Sequence, residues 1–368
     1  MAGIDIIVDT GTEFEDGAAE YNSVARLDDD KFIIAYRDNN DGNKGKVNIG
    51  TRVETVVTIS EANVITFNDG DTQNVEVRAF SASLFVIIYY DWLDTKTPRL
   101  KAGTVSGTTI TLGDEYVIST ETNSESYIGL SLSTLDNTNF IASYAYRSIY
   151  DNEQYVESRV CSISGTVITI GDAQQVDYGD NKGSSVRSVA LDGTHYLITY
   201  GNYGGSTNLT ADNACVGTVD TDTKTISFAA KTQTHGWIGD RSIDKFDSSH
   251  FILCGGGVYG DYHMVAIGSI HATTYAITMG SAVSWADQNN GLDSRSVCAM
   301  DASHFVVAYH KGATAQTRLG YVKSGYLTGS NNLNWDAEGE IAMDTNLCTN
   351  IAICKLTDDY FLVGYKQS

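Results

Sequence analysis

The sequence predicts an all-β protein, a single seven-bladed β-propeller with four-stranded antiparallel blades. Three observations predict it. A ten-residue phrase, Leu-Asp-x-x-x-Phe-x-x-x-Tyr in its clearest copies, returns seven times at spacings of 53, 55, 56, 55, 54 and 56 residues. The segments between the copies are short, rich in β-branched and aromatic residues, and without long helical periodicity. The chain carries one proline, Pro98. A repeat of this length made of strand-like pieces is one propeller blade, so a single ring uses all 368 residues where length alone suggests two or three domains.

The copies run Leu27 to Tyr36, Phe80 to Tyr89, Leu135 to Tyr144, Leu191 to Tyr200, Phe246 to Gly255, Met300 to Tyr309 and Leu356 to Tyr365. They place blades at about 22–67, 73–120, 127–176, 184–232, 240–286, 294–343, and 350–366 joined by 3–15. In the first repeat, Ser23 to Leu27 is a short strand and Asp28-Asp29-Asp30 a tight turn. Phe32 to Tyr36 is nearly all apolar, as suits a strand buried on both faces between neighbouring blades. A polar loop, Asp38 to Lys44, leads to an alternating third strand, Lys46 to Val53, and a β-branched fourth, Thr55 to Ile59. The third strand carries a small residue at a fixed slot, at Gly50, Gly103, Cys161, Gly217, Gly268 and Gly320, read here as letting blades approach closely. The recurring Asp and Tyr of the signature are turn and packing residues.

The last repeat stops after its second strand, and Gly3 to Ile7 aligns with an outer strand. The N-terminus is therefore expected to complete the seventh blade and close the ring. Six third strands are visible. Either the seventh blade has three strands or a partner supplies one.

The 46 acidic against 24 basic residues, net charge −22, exclude nucleic-acid binding by phosphate neutralisation and disfavour anionic membranes. No stretch is apolar and long enough for membrane insertion, and Met1 to Asp5 shows no secretory signal. The six cysteines have no zinc spacing and read as buried thiols, with a disulfide between Cys298 and Cys354, each two residues before the signature in consecutive repeats, as the alternative.

Function is expected on the face where the second-to-third and blade-to-blade loops are long and differ between blades, because variable loops on a rigid scaffold carry binding. Those loops are read as holding Tyr90, Trp92, Tyr146, Tyr150, Tyr155, Tyr203, Tyr259 and Tyr262, with Trp237, Trp285 and His235 between blades. Aromatic faces beside Asn and Asp suit sugar rings or protein surfaces; capping of each blade's own edge is the alternative reading. Arg187, Arg241 and Arg295 enter the first strands of consecutive blades near the channel mouth. In so acidic a chain such a basic spot suits a carboxylate or sulfate of an acidic sugar, or ion pairs with Asp240, Asp244 or Asp293. No cofactor is expected. The weak calcium candidate is the loop with Asp38 and Asp41, which lacks the later Glu of a calcium loop and reads equally as a solvated turn.

No GxSxG, HExxH, P-loop or sialidase-type Ser-x-Asp-x-Gly-x-Thr-Trp box appears, so an enzyme is not expected. The signature paired with Gly-Thr-Val-Ser-Gly-Thr-Thr-Ile-Thr-Leu-Gly (Gly103 to Gly113) resembles propeller repeats of phage structural proteins and large bacterial surface proteins. The resemblance spans essentially the whole chain. It implies a non-enzymatic virion-associated or surface-displayed module that adheres to a receptor or cell-surface glycan. A structural propeller assembling with other virion or surface proteins is the alternative, and a propeller glycosidase the second. The implied location is the virion, or else the extracellular space or cell surface.

Overall fold

The computed structural model describes residue 6 and residues 11–15, 18–94, 97–119, 129–148, 150–151, 153–179, 182–202, 212–235, 238–256, 263–284, 295–311, 319–329, 331–337 and 339–367. Among them the only helical piece is the single 3-10 turn Glu61–Asn63, and no helix is long and apolar enough to cross a membrane. Everything else is strand and turn, in antiparallel sheets whose strands follow chain order from the axis outward.

The blade count is a correction. Among the described residues the strands form six sheets, not seven. The reason lies in the 15-residue strand Ile341–Lys355. Its start pairs with the third strand of blade 6 (Tyr321↔Ala342, Val322↔Ile341), and its end pairs with Phe361–Gln367. One unbroken strand thus serves as outer piece of blade 6 and inner strand of the seventh repeat, which joins the sixth sheet as a hairpin.

Elsewhere the outer strand is usually broken in two, and both pieces pair with the third strand. In blade 1 these are Val56–Ile59 and Ile65–Asn68, split by the 3-10 turn; only blade 2 keeps one continuous outer strand, Thr109–Val117.

The second strands form the core, as their apolar runs require. Phe32 to Tyr36 and Phe85 to Tyr90 are at most 2% exposed. Each hydrophobic cluster lies between consecutive repeats, so burial holds blade to blade. The signature aspartates close the first turn by accepting backbone N–H groups, as at Asp136 (Thr138 N, 2.7 Å) and Asp301 (Ser303 N, 2.7 Å).

The small-residue slot has a different cause from the one expected. Register partners Phe32↔Gly50, Phe85↔Gly103 and Phe251↔Gly268 place the ring of the second strand's signature aromatic against the glycine of the same blade. A methyl group there would overlap the ring. In blade 6 the slot is Gly325, opposite Phe305, and not Gly320.

At the chain ends, the Asn22 amide donates to Asn350 O (3.3 Å) and Lys366 pairs with Glu20 (3.2 Å), so blade 1 lies against the seventh repeat. The expected N-terminal strand falls mostly outside the described residues. Of that segment, Ile6 is buried with Ile351 and Ile353, and Phe14 with Tyr36.

Candidate functional site

Two places gather the expected site residues. The first is an axial cavity of about 940 Å³, lined by the inner strands of all seven repeats. Those strands are stitched to one another by side chains. Ser23, Ser131 and Ser242 hold the same repeat position, and each hydroxyl accepts an N–H of the next inner strand, from Val77 (3.0 Å), Ser188 (3.0 Å) and Val297 (3.1 Å). Glu76 fills that slot in blade 2, accepting Leu132 N (3.2 Å) while pairing with Arg78 (2.9 Å).

A second regularity of the inner strands was not legible in the sequence. Tyr21, Asn74, Ser185 and Asn350 share one repeat position, and all have φ between 50° and 52°. Each coincides with a register shift in its strand. A bulge of this kind re-aims the side chains that follow it.

Arg187 and Arg295 both line this cavity, Arg295 being only 3% exposed. Arg187 donates to Val186 O (2.8 Å) and Leu130 O (3.5 Å). Arg241 lies in the strand Ile238–Lys245, and its side chain is outside the described residues. Asp244, one of the expected ion-pair partners, accepts Ala299 N (2.9 Å) and Lys245 N (2.8 Å). Burial raises its carboxyl above the usual range. His263, beneath the long-loop end of blade 5, is held neutral by burial and the Arg295 charge, down to about 3.

The second place is the long-loop end of blades 2 and 3. Tyr146, Tyr155 and Tyr178 are register partners on three adjacent strands. Their rings stack at 5.4 Å and 14°, then 6.1 Å and 21°, and Tyr144 continues the stack inward at 6.1 Å. Tyr144 and Tyr146 are buried, Tyr155 is half-buried, and Tyr178 is 59% exposed. Carboxylates fix the hydroxyls. Glu157 accepts from Tyr144 (2.7 Å) and Tyr146 (3.0 Å), and Asp151 from Tyr155 (2.7 Å). That last bond pushes the Tyr155 phenol up to about 12. Trp92 packs on the same core cluster as Tyr155, and Tyr150, 79% exposed, stands on the adjoining turn. The sequence pointed to Trp92, Tyr146, Tyr150 and Tyr155 but not to Tyr178, which lies in the second outer-strand piece of its blade, Gln174–Gly179.

The remaining candidates scatter or fall outside view. His235 bonds Gly280 O (2.9 Å), tying neighbouring blades together. Tyr203, Trp237, Tyr259, Tyr262 and Trp285 lie outside the described residues. In the calcium candidate, Asp38 caps its own turn (Asn40 N, 2.9 Å) and Asp41 is taken by Lys46 (2.6 Å) and Lys44 (3.2 Å), whose bonds hold its carboxyl below the usual range. No cluster of three or more metal-ligating side chains occurs among the described residues.

Solved structures similar to this chain are of distant sequence. A hypothetical selenium-binding protein from Sulfolobus tokodaii matches with TM-score 0.53 at 11% identity, over 84% of this chain and 75% of that one. An α-L-arabinofuranosidase from Fusarium graminearum, solved with an iminosugar inhibitor, matches with TM-score 0.51 at 12% identity, over 88% and 97%. A prolyl endopeptidase matches with TM-score 0.52 at 11% identity, over 95% of this chain but 45% of that one. At these identities the likeness defines the class by fold alone, a β-propeller. No family model and no curated protein matches the sequence.

Proposed function

We propose that this protein is a non-enzymatic binding module that takes a glycan at the long-loop end of blades 2 and 3. The tyrosine stack carries the reading. Tyr178 offers its outer aromatic face to the C–H surface of a sugar, in an orientation fixed by stacking on Tyr155, whose hydroxyl Asp151 holds, and Tyr150 extends the surface outward. Rigid aromatic contacts lose little side-chain entropy on binding. The acidic groups beside the stack are engaged as hydrogen-bond acceptors for the tyrosines, which favours a positioning role over acid–base chemistry. A virion or cell-surface setting is the one the repeat resemblance implies for such a module.

One observation favours assembly as a second reading. The second strand of the seventh repeat, Phe361–Gln367, is mostly half-exposed, whereas its six counterparts are buried through their middle residues. A partner protein pairing with that edge would cover it. We also infer that residues 3–15 add to this repeat, on the strength of Ile6 and Phe14.

A glycan array probed with the purified protein and with a Tyr155→Ala/Tyr178→Ala variant tests the first reading. Binding weakened tenfold or more in the folded variant is expected. Equal binding by both, or release of free sugar from a bound glycan, overturns it.

A further inference from the structure

We propose that, granted the glycan-binding reading of the tyrosine stack, on which this rests, the preferred glycan carries a protonated amine: an unacetylated amino sugar whose ring lies on Tyr178 while Asp151 and Glu153 meet its ammonium group. The surface comes first. The long-loop end of blades 2 and 3 exposes Leu93, Val117, Tyr150 and Tyr178, while the other large apolar side chains exposed among the described residues stand at hairpin tips on the opposite face. Beneath them the two blades are joined. Trp92 and Tyr155 pack on one core cluster, and the Tyr90 hydroxyl donates to Ala145 O (3.1 Å) across the blade boundary. The exposed apolar side chains thus rest on one rigid support.

The charges at this surface are of one sign. Asp94 and Glu115 are matched by Arg99, Asp177 by Lys231, and Glu157 accepts the hydroxyls of Tyr144 and Tyr146. Asp151 and Glu153 differ, since neither forms an ion pair among the described residues. Both stand at the edge of the stack. Asp151 accepts the Tyr155 hydroxyl (2.7 Å) on one oxygen and the Glu153 N–H (3.1 Å) on the other. The Ser148 N–H donates to Glu153 O (2.8 Å), which carries the ladder one residue past Gln154 and sets Glu153 on the same side of the strand as Tyr155. The Tyr155 hydroxyl and the Glu153 N–H hold the Asp151 carboxyl below the usual range, so it is ionised at neutral pH. An ionised carboxylate has about four acceptor positions, and two of those on Asp151 are used. Glu153 has one oxygen shut off from solvent with no hydrogen-bond donor, and a cation beside it offsets the cost of that burial. An acidic sugar would bring a third negative charge to this edge. A neutral sugar would leave both carboxylates without a counter-charge. An ammonium group gains charge-assisted hydrogen bonds from the carboxylates and attraction from the aromatic face.

The test is calorimetric titration of the whole chain at 0.15 M ionic strength with cellotriose, N-acetylchitotriose and the glucosamine trimer. The three share one backbone and differ in a single substituent, a hydroxyl, an acetamide or an ammonium group. The glucosamine trimer is expected to bind about fivefold more tightly than cellotriose, or better. Asp151→Asn/Glu153→Gln, which keeps an acceptor for the Tyr155 hydroxyl, is expected to erase that preference with the circular dichroism spectrum retained. Asp222→Asn/Asp359→Asn removes the same two charges from exposed turns of the opposite face and is expected to keep the preference. This control separates a local contact from the general pull of a chain of net charge −22 on any cation. Equal affinities for the three trimers in the wild type, a preference that survives in Asp151→Asn/Glu153→Gln, or no uptake of the glucosamine trimer overturns the amine assignment. If Tyr155→Ala/Tyr178→Ala still abolishes glycan-array binding, the glycan reading stands without it. Array binding that ignores the tyrosines overturns both.

Discussion

At the scale of single residues, the fixed glycine of the third strand shows how a pattern is legible while its cause is not. The spacing of Gly50, Gly103, Gly217 and Gly268 is plain in the sequence. The physical reason, an aromatic ring of the neighbouring strand lying over the glycine, needs the register, because only cross-strand pairing brings Phe85 opposite Gly103. The same register moves the sixth copy from Gly320 to Gly325. Gly103→Ala is therefore expected to destabilise the fold by about 1–3 kcal/mol, since the ring of Phe85 is fully buried and can yield only by leaving its rotamer. A urea unfolding curve measures this. Gly107→Ala serves as comparison: that turn glycine has open space around it but φ of +63°, so its cost is conformational alone, about 1 kcal/mol. The site residues were less legible. A tyrosine in a loop and a tyrosine in a core look alike in one sequence, and what separates Tyr178 from the buried Tyr144 is its place at the outer edge of the stack.

At the scale of elements, the second strands were the easiest to read, because burial on both faces writes an unbroken apolar run. The outer strands were the hardest. They are broken, half-exposed and short, and their two pieces carry too few residues to show a period. The inner strands fall between. Their place just before the signature was visible, but their bulges were not, because φ near 50° at Tyr21 and Ser185 goes with no glycine that would announce it. What holds the inner strands side by side is the serine hydroxyl reaching into the next blade. Ser131 is 1% exposed and its Oγ is the acceptor for Ser188 N. Ser131→Ala leaves that buried N–H without its acceptor and is expected to cost about 1–3 kcal/mol. Ser83→Ala, in an exposed turn, is expected to change stability by no more than about 0.5 kcal/mol. Equal unfolding midpoints for the two variants would mean that the inter-blade serine bonds add nothing to the ring.

At the scale of the whole molecule, the question is what holds the two chain ends. The first six repeats each supply a third strand to cover their second. The seventh does not among the described residues, because Ile341–Lys355 is shared with blade 6 and the chain turns back only once more. The half-exposed Phe361–Gln367 edge that results is the kind that pairs with other chains unless covered. The segment before the first blade supplies part of the cover. Ile6 is 8% exposed against Ile351 and Ile353, and Phe14 is 9% exposed against Tyr36, whose hydroxyl donates to Glu15 (2.9 Å). The Thr12 hydroxyl donates to Val57 O (2.8 Å) on the outer strand of blade 1. Two buried side chains at about 1.5–3 kcal/mol each make this segment worth about 3–6 kcal/mol, a large share of the stability of an ordinary domain. Deleting residues 1–15 is expected to lower the denaturation midpoint accordingly. It is also expected to expose Tyr36 and the last strand, so that the shortened chain self-associates in size-exclusion chromatography as its concentration rises. A shortened chain that unfolds at the wild-type midpoint and stays at the wild-type elution volume would show that the ends are held by the Glu20–Lys366 and Asn22–Asn350 contacts alone. The net charge of −22 bears on the same experiment. Repulsion between copies opposes edge-to-edge pairing, and salt screens it, so association of the shortened chain is expected to strengthen from low to 0.15 M ionic strength, where the screening length falls to about 8 Å.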